Sequence, residues 1–576
     1  MKFTIGKWSF VVILLAGLLY IGSSYTYRYA GDNGNAWRTA INSDGVGYYA
    51  YLTGLFIEGD LAKADAAEQH FTPAGNNRVI QYYCGTPLLI APFFLAAKAW
   101  TAITGYTDPT AMSMPYQIAV GVAAFFYLVF GLFQLRKVLL RLGMSDVITA
   151  MTLSVITFGS GLLYHAVITP SMSHVYGFAL IALALAEAQR AWHGGNYGLL
   201  RTSIVLGLAL LVRPTHALII LALPLVAITE PRPLLVWIRE HELKHWIIAG
   251  SVGLAILFIQ PLAWYLQCGL WWVDPYAGEG FNWSDPHIWS VLFGARKGFF
   301  FYWPLLLLAI LGLMLITVRW RGIGVLAWIG SALIIYVTSA WWSWYYGYGY
   351  GMRPLIDILP LLAVPIAVLF KSLRTPIRNG LFGLAIPLMV LQLFQTWQYQ
   401  NGIIHPFNMD KEKYAMIFLR SDDQWRDRFG WSNMAPPFAP NGLNQLADTT
   451  FYTGNTSGVI NEKERLSLAL VVTPEILPDH RTIRVELSCG RSAVEHNASN
   501  SAQLVYSLRK NGTDRVYQTF PLNDIRLADD RPWRTWNHSF NVPPADPDED
   551  LAIYVLQSGN GSVQLHDLRI AVSAMK

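Results

Sequence analysis

Hydrophobic positions in this chain come in long unbroken runs, with polar residues collected between them. Runs occupy approximately Trp8 to Ile21, Pro87 to Ile103, Pro115 to Leu135, Val147 to Ala166, Met172 to Ala191, Leu199 to Val212, His216 to Ile228, Ile247 to Leu266, Phe300 to Val318, Ile323 to Trp341, Leu355 to Phe370 and Leu381 to Trp397. Most approach the ~20 residues a helix needs to cross a bilayer. The two shorter runs flank Arg213-Pro214, where the chain is expected to reach the outer face and turn back. The pattern predicts a polytopic α-helical membrane protein.

Basic residues set its orientation. Arg136/Lys137/Arg141, Arg190/Arg201, Arg232/Arg239/Lys244, Arg319/Arg321 and Lys371/Arg374/Arg378 fall between alternate pairs of runs, so one orientation makes all of these loops cytoplasmic. Counting Pro87 to Ile103 as a full span would put Arg136 and Lys137 outside. That run is therefore expected to lie along, or dip into, the outer leaflet, which leaves about eleven spans; the alternative is a true span with a locally weak charge bias. Lys2, Lys7 and the following run read as a retained signal anchor with a cytoplasmic N-terminus. The polar stretch from about residue 25 to 83 is then the first outward loop.

After Trp397 the pattern changes. Segments such as Thr482 to Leu487, Gln503 to Leu508, Leu551 to Leu556 and Val563 to Ile570 are short, partly alternating and bounded by turn residues. They predict a C-terminal all-β sandwich, jelly-roll-like, over 401–576 on the outer side, after a transmembrane domain over 1–400. A short helix is expected near Lys411 to Leu419.

Composition agrees with the pattern: 53% of residues are hydrophobic, 14% are charged, and there are 22 tryptophans. The net charge of +5 is dispersed along the chain, which argues against nucleic-acid binding. Cys84, Cys268 and Cys489 lie far apart and show neither a metal-binding nor a disulfide spacing. The outward carboxylates Asp32, Glu58, Asp60, Asp65 and Glu68 form no metal motif. No metal site is assigned and no cofactor is expected, with a divalent cation left open.

Candidate chemistry lies where charge gathers on the outward side. Asp44, in INSDGVGYY (Ile41 to Tyr49), is the leading acid. Arg78, Arg213, Arg296, Lys297 and Arg353 lie at or beyond the outer helix ends, with Tyr48, Tyr49, Trp344 and Tyr345 in nearby outward segments and His174, in TPSMSHVY, expected at the same face. One acid among several cations suits a substrate carrying a phosphate and a hydroxyl. The carboxylate can act as general base, and arginine forks fit phosphate oxygens. A single strong acid favours direct displacement, with inversion, over a double displacement.

A first-loop aspartate followed by a tyrosine pair, then GTPLLIAPFF, ALLVRPTH, GARKGFFFYWP and GYGMRPLIDILPLLAVP, resembles the GT-C glycosyltransferase superfamily. The likeness is to its protein O-mannosyltransferase and lipid A aminoarabinose transferase branch, and covers about residues 1 to 400. That resemblance implies a sugar donor on a polyprenyl-phosphate carrier, transfer at the outer face, and Asp44 as the essential acid. It further implies a bacterial inner membrane location, a glycan, lipid or protein acceptor, and Arg78, Arg213, Arg296 and Arg353 as donor-phosphate candidates. Tyr48, Tyr49, His174, Lys297, Trp344 and Tyr345 are possible substrate contacts. Where relatives often carry a charged residue or histidine before Pro-Pro-Leu, this chain has Cys84-Gly85-Thr86-Pro87-Leu88. A phosphate contact expected there must come from elsewhere, with Arg78 a candidate, or the donor differs.

A structural reading stands beside each assignment. Asp44 could be a turn or cap residue, the arginines could be snorkelling anchors, and His174 a structural hydrogen-bonding residue. The Trp341 to Tyr350 loop could be an interfacial aromatic belt. Asp357, one turn after Arg353, reads as its local ion-pair partner. The C-terminal domain could bind carbohydrate or serve as a cover. A transporter, a polysaccharide-assembly scaffold and an oligosaccharide ligase are the alternatives to a glycosyltransferase. Unusual charges confined to one face, without a repeat, disfavour a transporter.

Overall fold

In the computed structural model the residues described are 6–422 except 31–35, 76, 107, 196, 230–232, 277–278 and 408, together with 425, 449–460, 470–473, 483–493, 502–511, 513–521, 534–542, 545–546, 548–557 and 563–574. Asp32, Arg232 and Thr482 fall outside them. Two compact units are present, Met1–Tyr346 with Tyr350–Leu393, and Gly347–Gly349 with Phe394–Lys576.

The first unit is helical. Helices α1 (Lys7–Arg28), α2 (Asp44–Thr53), α3 (Gly85–Thr104), α4 (Met114–Arg141), α5 (Asp146–Phe158), α6 (Leu162–Ile168), α7 (His174–Trp192) and α8 (Gly198–Val212) lead into a 3₁₀ stretch, Pro214–Ala227. Further apolar helices lie at Leu243–Leu257, Ile259–Cys268, Leu307–Arg319, Arg321–Ala340, Leu359–Ser372 and Thr375–Gln400, the last of which belongs to this unit only as far as Leu393. Among the described residues six helices are long and apolar enough to cross a membrane, or seven if α5 and α6, bent by 52°, count as one span. The protein is therefore a multi-pass membrane protein.

One end of this unit is pinned by charge. The Asp146 carboxylate accepts from the amides of Trp8 (2.8 Å) and Ser9 (3.3 Å), satisfying donors that the first turn of α1 cannot use itself. Arg136 donates to the Ser9 hydroxyl at 2.7 Å. At the opposite end the Arg28 guanidinium, fully buried, donates to the carbonyls of Val167 (2.6 Å) and Ile168 (3.2 Å), the last of α6.

The run Pro87 to Ile103 is one continuous helix, α3, whose length and composition would also satisfy a span. It lies antiparallel to the first half of α4. The Tyr127 hydroxyl meets the Leu89 carbonyl at 3.3 Å, Phe93 packs on Phe126, and Thr101 meets Tyr116 at 3.4 Å. Tyr127 also packs on Tyr176, two residues into α7. The start of α7 therefore stands level with the middle of α4, about 20 Å along the axis from Met114. The first half of α4, with α3, walls one side of the region above α7.

The first loop folds on the unit's own side chains. After α2 comes a hairpin of β1 (Phe71–Ala74) and β2 (Asn77–Ile80). Two glutamines of the helix Ile259–Cys268 hold the chain between this hairpin and α3: Gln267 accepts from the Ile80 amide and Gln260 from the Cys84 amide, each at 2.7 Å.

The second unit carries the short helix Lys411–Ile417 and strands β3 (Thr449–Ile460), β4 (Leu470–Val472), β5 (Ile483–Ala493), β6 (Ala502–Lys510), β7 (Thr513–Pro521), β8 (Arg534–Val542), β9 (Asp550–Gln557) and β10 (Val563–Ala574). They form two antiparallel four-stranded sheets, ordered β3-β10-β5-β8 and β4-β9-β6-β7. Cross-strand pairs Leu504–Val555, Tyr506–Ile553 and Leu508–Leu551 are buried in one sheet, and Val485–Val572 in the other. That gives each sheet an apolar face, and in β6 and β9 the alternate positions Val505, Ser507 and Ala552 are buried as well.

Candidate active site

Asp44 is the first residue of α2, where helix amides and the helix dipole favour a negative charge. Ser43, just before it, has φ 49° and ψ −139°, a region that side chains seldom enter and that costs roughly 1–3 kcal/mol. Gly45 and Gly47 allow the helix to come close to its neighbours. A Cβ at Gly45 would collide with the Ser171 side chain, and one at Gly47 with the Tyr82 ring. The SDGVG sequence is thus a packing requirement as well as a turn.

The Asp44 side chain keeps 29% of its surface and is bonded to Arg353, whose Nη2 donates to Oδ2 at 2.8 Å. Burial works against its charge, but the Arg353 guanidinium, with smaller help from His70 and Tyr82, outweighs it and holds the carboxyl below the usual carboxylate range. Tyr82 and His70 stand beside it. Burial pushes the His70 imidazole down, against the pull of the Asp44 charge. Tyr82 packs on Tyr48 at 4.7 Å and edge-on to Tyr276, so tyrosines surround the carboxylate.

Arg353 opens a short 3₁₀ turn, Arg353–Leu355, whose geometry carries Asp357 away from it. Asp357 is fully buried and its partners are other residues. Oδ1 accepts from His174 Nδ1 at 2.9 Å, and Oδ2 from His216 Nε2 at 2.9 Å and Arg213 Nη1 at 3.4 Å. The expected Arg353–Asp357 ion pair is replaced by this cluster, which draws on three separated segments. His216 Nδ1 lies 2.9 Å from the Ala209 carbonyl, so the ring is held at both of its nitrogens.

Two guanidiniums are thus neutralised through a single nitrogen each. Arg213 also touches the Pro354 carbonyl with Nη1 at 3.5 Å, which brings it against the residue following Arg353. The other Arg353 nitrogen in contact, Nη1, faces the Met172 sulfur at 3.8 Å, a weak acceptor and its sole partner among the described residues. Both side chains are partly accessible, 21% for Arg213 and 14% for Arg353. Lys297 is buried close by. Desolvation, together with the charges of Arg353 and Arg296, pushes its amine well below the ordinary lysine range.

The remaining sequence candidates lie in other settings. Arg296 stacks on the Tyr345 ring, 3.4 Å from its centroid, with Trp344 next to it. Arg78, on β2, donates from Nε to the Ala62 carbonyl at 2.8 Å and covers the Phe71 ring. Tyr49 is buried and donates to the Ala111 carbonyl at 2.7 Å. Among the described residues no group of three His, Cys, Asp or Glu side chains is arranged to hold a metal ion. Residues not singled out from sequence are His70, Tyr82, His216 and Tyr276. Of these only His216, in the RPTH segment beside Arg213, had a local signal that could have drawn attention.

No family model and no curated protein sequence matches the chain. Among solved structures, an apo oligosaccharyltransferase from Archaeoglobus fulgidus is similar at 12% identity with a TM-score of 0.40, covering 76% of this chain and 62% of its own. Arabinosyltransferase EmbB from Mycobacterium smegmatis is similar at 12% identity with a TM-score of 0.26, covering 97% of this chain and 64% of its own. The chain spans less than two thirds of the length of either enzyme. At these TM-scores neither likeness carries weight for the activity, which is inferred from the site.

Proposed function

We propose that this protein is a membrane glycosyltransferase that moves a sugar from a polyprenyl-phosphate-linked donor to an acceptor hydroxyl, with inversion. The observation that carries this reading is the Asp44–Arg353 pair, a part-exposed carboxylate bonded to a guanidinium that, among the described residues, meets no second oxygen acceptor through its side chain, with Arg213 alongside. Asp44 takes the proton of the acceptor hydroxyl, whose oxygen attacks the anomeric carbon. The bond from that carbon to the phosphate oxygen breaks, and the electron pair leaves on polyprenyl phosphate, where Arg353 and Arg213 stabilise the charge. The other carboxylate near the site, Asp357, is buried and bonded on both oxygens, so it offers no nucleophile for a double displacement.

The resting ion pair gives the steps an order. While Arg353 holds Asp44, the carboxylate is a weak base. A donor phosphate competes for the same guanidinium, and as it does so Asp44 gains basicity when the sugar is in place. The membrane is the bacterial inner membrane, with a cytoplasmic N-terminus and the site and C-terminal unit on the outer side. The acceptor is a glycan, a lipid or a protein.

The test is reconstitution of the purified chain in liposomes with a panel of polyprenyl-phosphate sugars and, in parallel, the matching nucleotide sugars. The reading expects transfer from a polyprenyl-phosphate donor and a hydroxyl-linked product of inverted configuration. Transfer from the nucleotide sugars alone, or a product of retained configuration, would overturn it.

A further inference from the structure

Asp357 has no place in the transfer steps above, yet it is fully buried and both of its oxygens are bonded to basic side chains. It joins His174 at the start of α7, Arg213 at the end of α8 and His216 in the adjoining 3₁₀ stretch. All four positions are fixed by packing. Gly177 of α7 comes so near that a Cβ would lie 2.8 Å from Asp357 Oδ2 and 3.0 Å from His216 Cε1. His174 packs edge-on to His165, whose Nε2 lies 3.0 Å from the Tyr350 carbonyl.

A buried carboxylate of this kind is costly to desolvate, and a packed apolar residue of similar size would serve stability as well or better. What the arrangement does supply is geometry. Each Asp357 oxygen is fixed by a histidine, and Oδ2, shared with His216, meets only one guanidinium nitrogen of Arg213. Among the described residues no other carboxylate pairs with Arg213, and its Nε and Nη2 make no hydrogen bond to protein. The guanidinium is thus held from one side, with its remaining donors left for an oxyanion.

Resting on the reading of a donor-phosphate site, we infer that Asp357 is its positioning residue: locked by His174 and His216, it sets the orientation in which Arg213 meets the phosphate. It acts through Arg213 and touches no substrate. A role in folding alone would lower stability without regard to which ligand is bound. A positioning role affects the phosphate specifically, and only while Arg213 is present.

The experiment is a double-mutant cycle on the full chain in nanodiscs, with farnesyl phosphate as probe and farnesol as its uncharged control. Asp357→Asn is expected to weaken farnesyl phosphate binding about tenfold and leave farnesol binding unchanged; in an Arg213→Gln background the same substitution should have no further effect. Asp357→Glu, which keeps the charge, should recover part of the loss. If Asp357→Asn is not recovered folded, His216→Gln takes its place in the cycle, since it releases one of the two locks. Equal losses for farnesyl phosphate and farnesol, or an unchanged effect of Asp357→Asn without Arg213, would overturn the inference and leave the phosphate site standing. A wild-type chain with no preference for farnesyl phosphate over farnesol would overturn the donor-phosphate reading and with it the inference.

Discussion

Gly85 offers a test in which two physical effects predict opposite signs. It opens α3 at the point where that helix meets the end of α8. A Cβ there would lie 2.5 Å from the Leu211 carbonyl oxygen, where ordinary contact begins at 3.4 Å, and would also overlap the Val212 amide nitrogen. One backbone must therefore move by about 1 Å. Helix propensity alone predicts that Gly85→Ala stabilises the protein by up to about 1 kcal/mol. Overpacking against backbone predicts a loss of about 1–3 kcal/mol, roughly 5- to 150-fold in the folding equilibrium. Because Val212 precedes Arg213, the displaced chain also carries the guanidinium with it. The expected result is a lower melting temperature in detergent together with weaker farnesyl phosphate binding. A melting temperature equal to or above wild type, with unchanged binding, would refute the close approach and the account of why glycine stands at this position.

The other predictions separate the candidate groups. Arg353→Lys keeps a charge near Asp44 but loses the planar fork, and should weaken farnesyl phosphate binding about tenfold; equal affinity would remove Arg353 from the site. Arg78→Ala should lower stability through the lost bond to Ala62 and the cover on Phe71, and leave phosphate binding intact, so a phosphate-specific loss would return Arg78 to the site. On pH, the folded-state carboxyl of Asp44 lies below its unfolded value. Its contribution to stability is therefore fully present above the unfolded pKa, near 3.9, and is lost as pH falls through the folded one. The melting-temperature difference between wild type and Asp44→Asn should shrink on acidification in that window, and a difference that stays constant or grows would contradict the ion pair.

The sequence made the helical class legible because bilayer-length apolar runs are hard to produce for any other reason. The strands at Gln503 to Leu508 and Leu551 to Leu556 could be read because they are short apolar segments bounded by turn residues, although residues on both of their faces are buried, Val505 and Ala552 as well as Leu504 and Leu551. Asp44 stood out as an acid in an outward polar segment. Its partner could not be named, since Arg353 lies 309 residues away and nothing local points to it. Asp357 shows the limit differently. Four-residue spacing suggests a partner on the same helix, but the helix begins only at Leu359 and the intervening 3₁₀ turn points Asp357 to α7 and α8 instead. The tyrosines around Asp44 come from segments up to roughly 230 residues apart, a proximity that only tertiary packing creates.

The central claim is that Asp44 is the base, and one measurement addresses it most directly. Wild type and Asp44→Asn are reconstituted with the active polyprenyl-phosphate sugar, and initial transfer rates are compared at saturating donor, with farnesyl phosphate binding measured on the same samples. Loss of the base should lower the rate by about 10²- to 10⁴-fold. Binding of the phosphate should be retained or tightened, because Arg353 is freed from its partner. Transfer at the wild-type rate by a folded Asp44→Asn protein that still binds farnesyl phosphate would contradict the account.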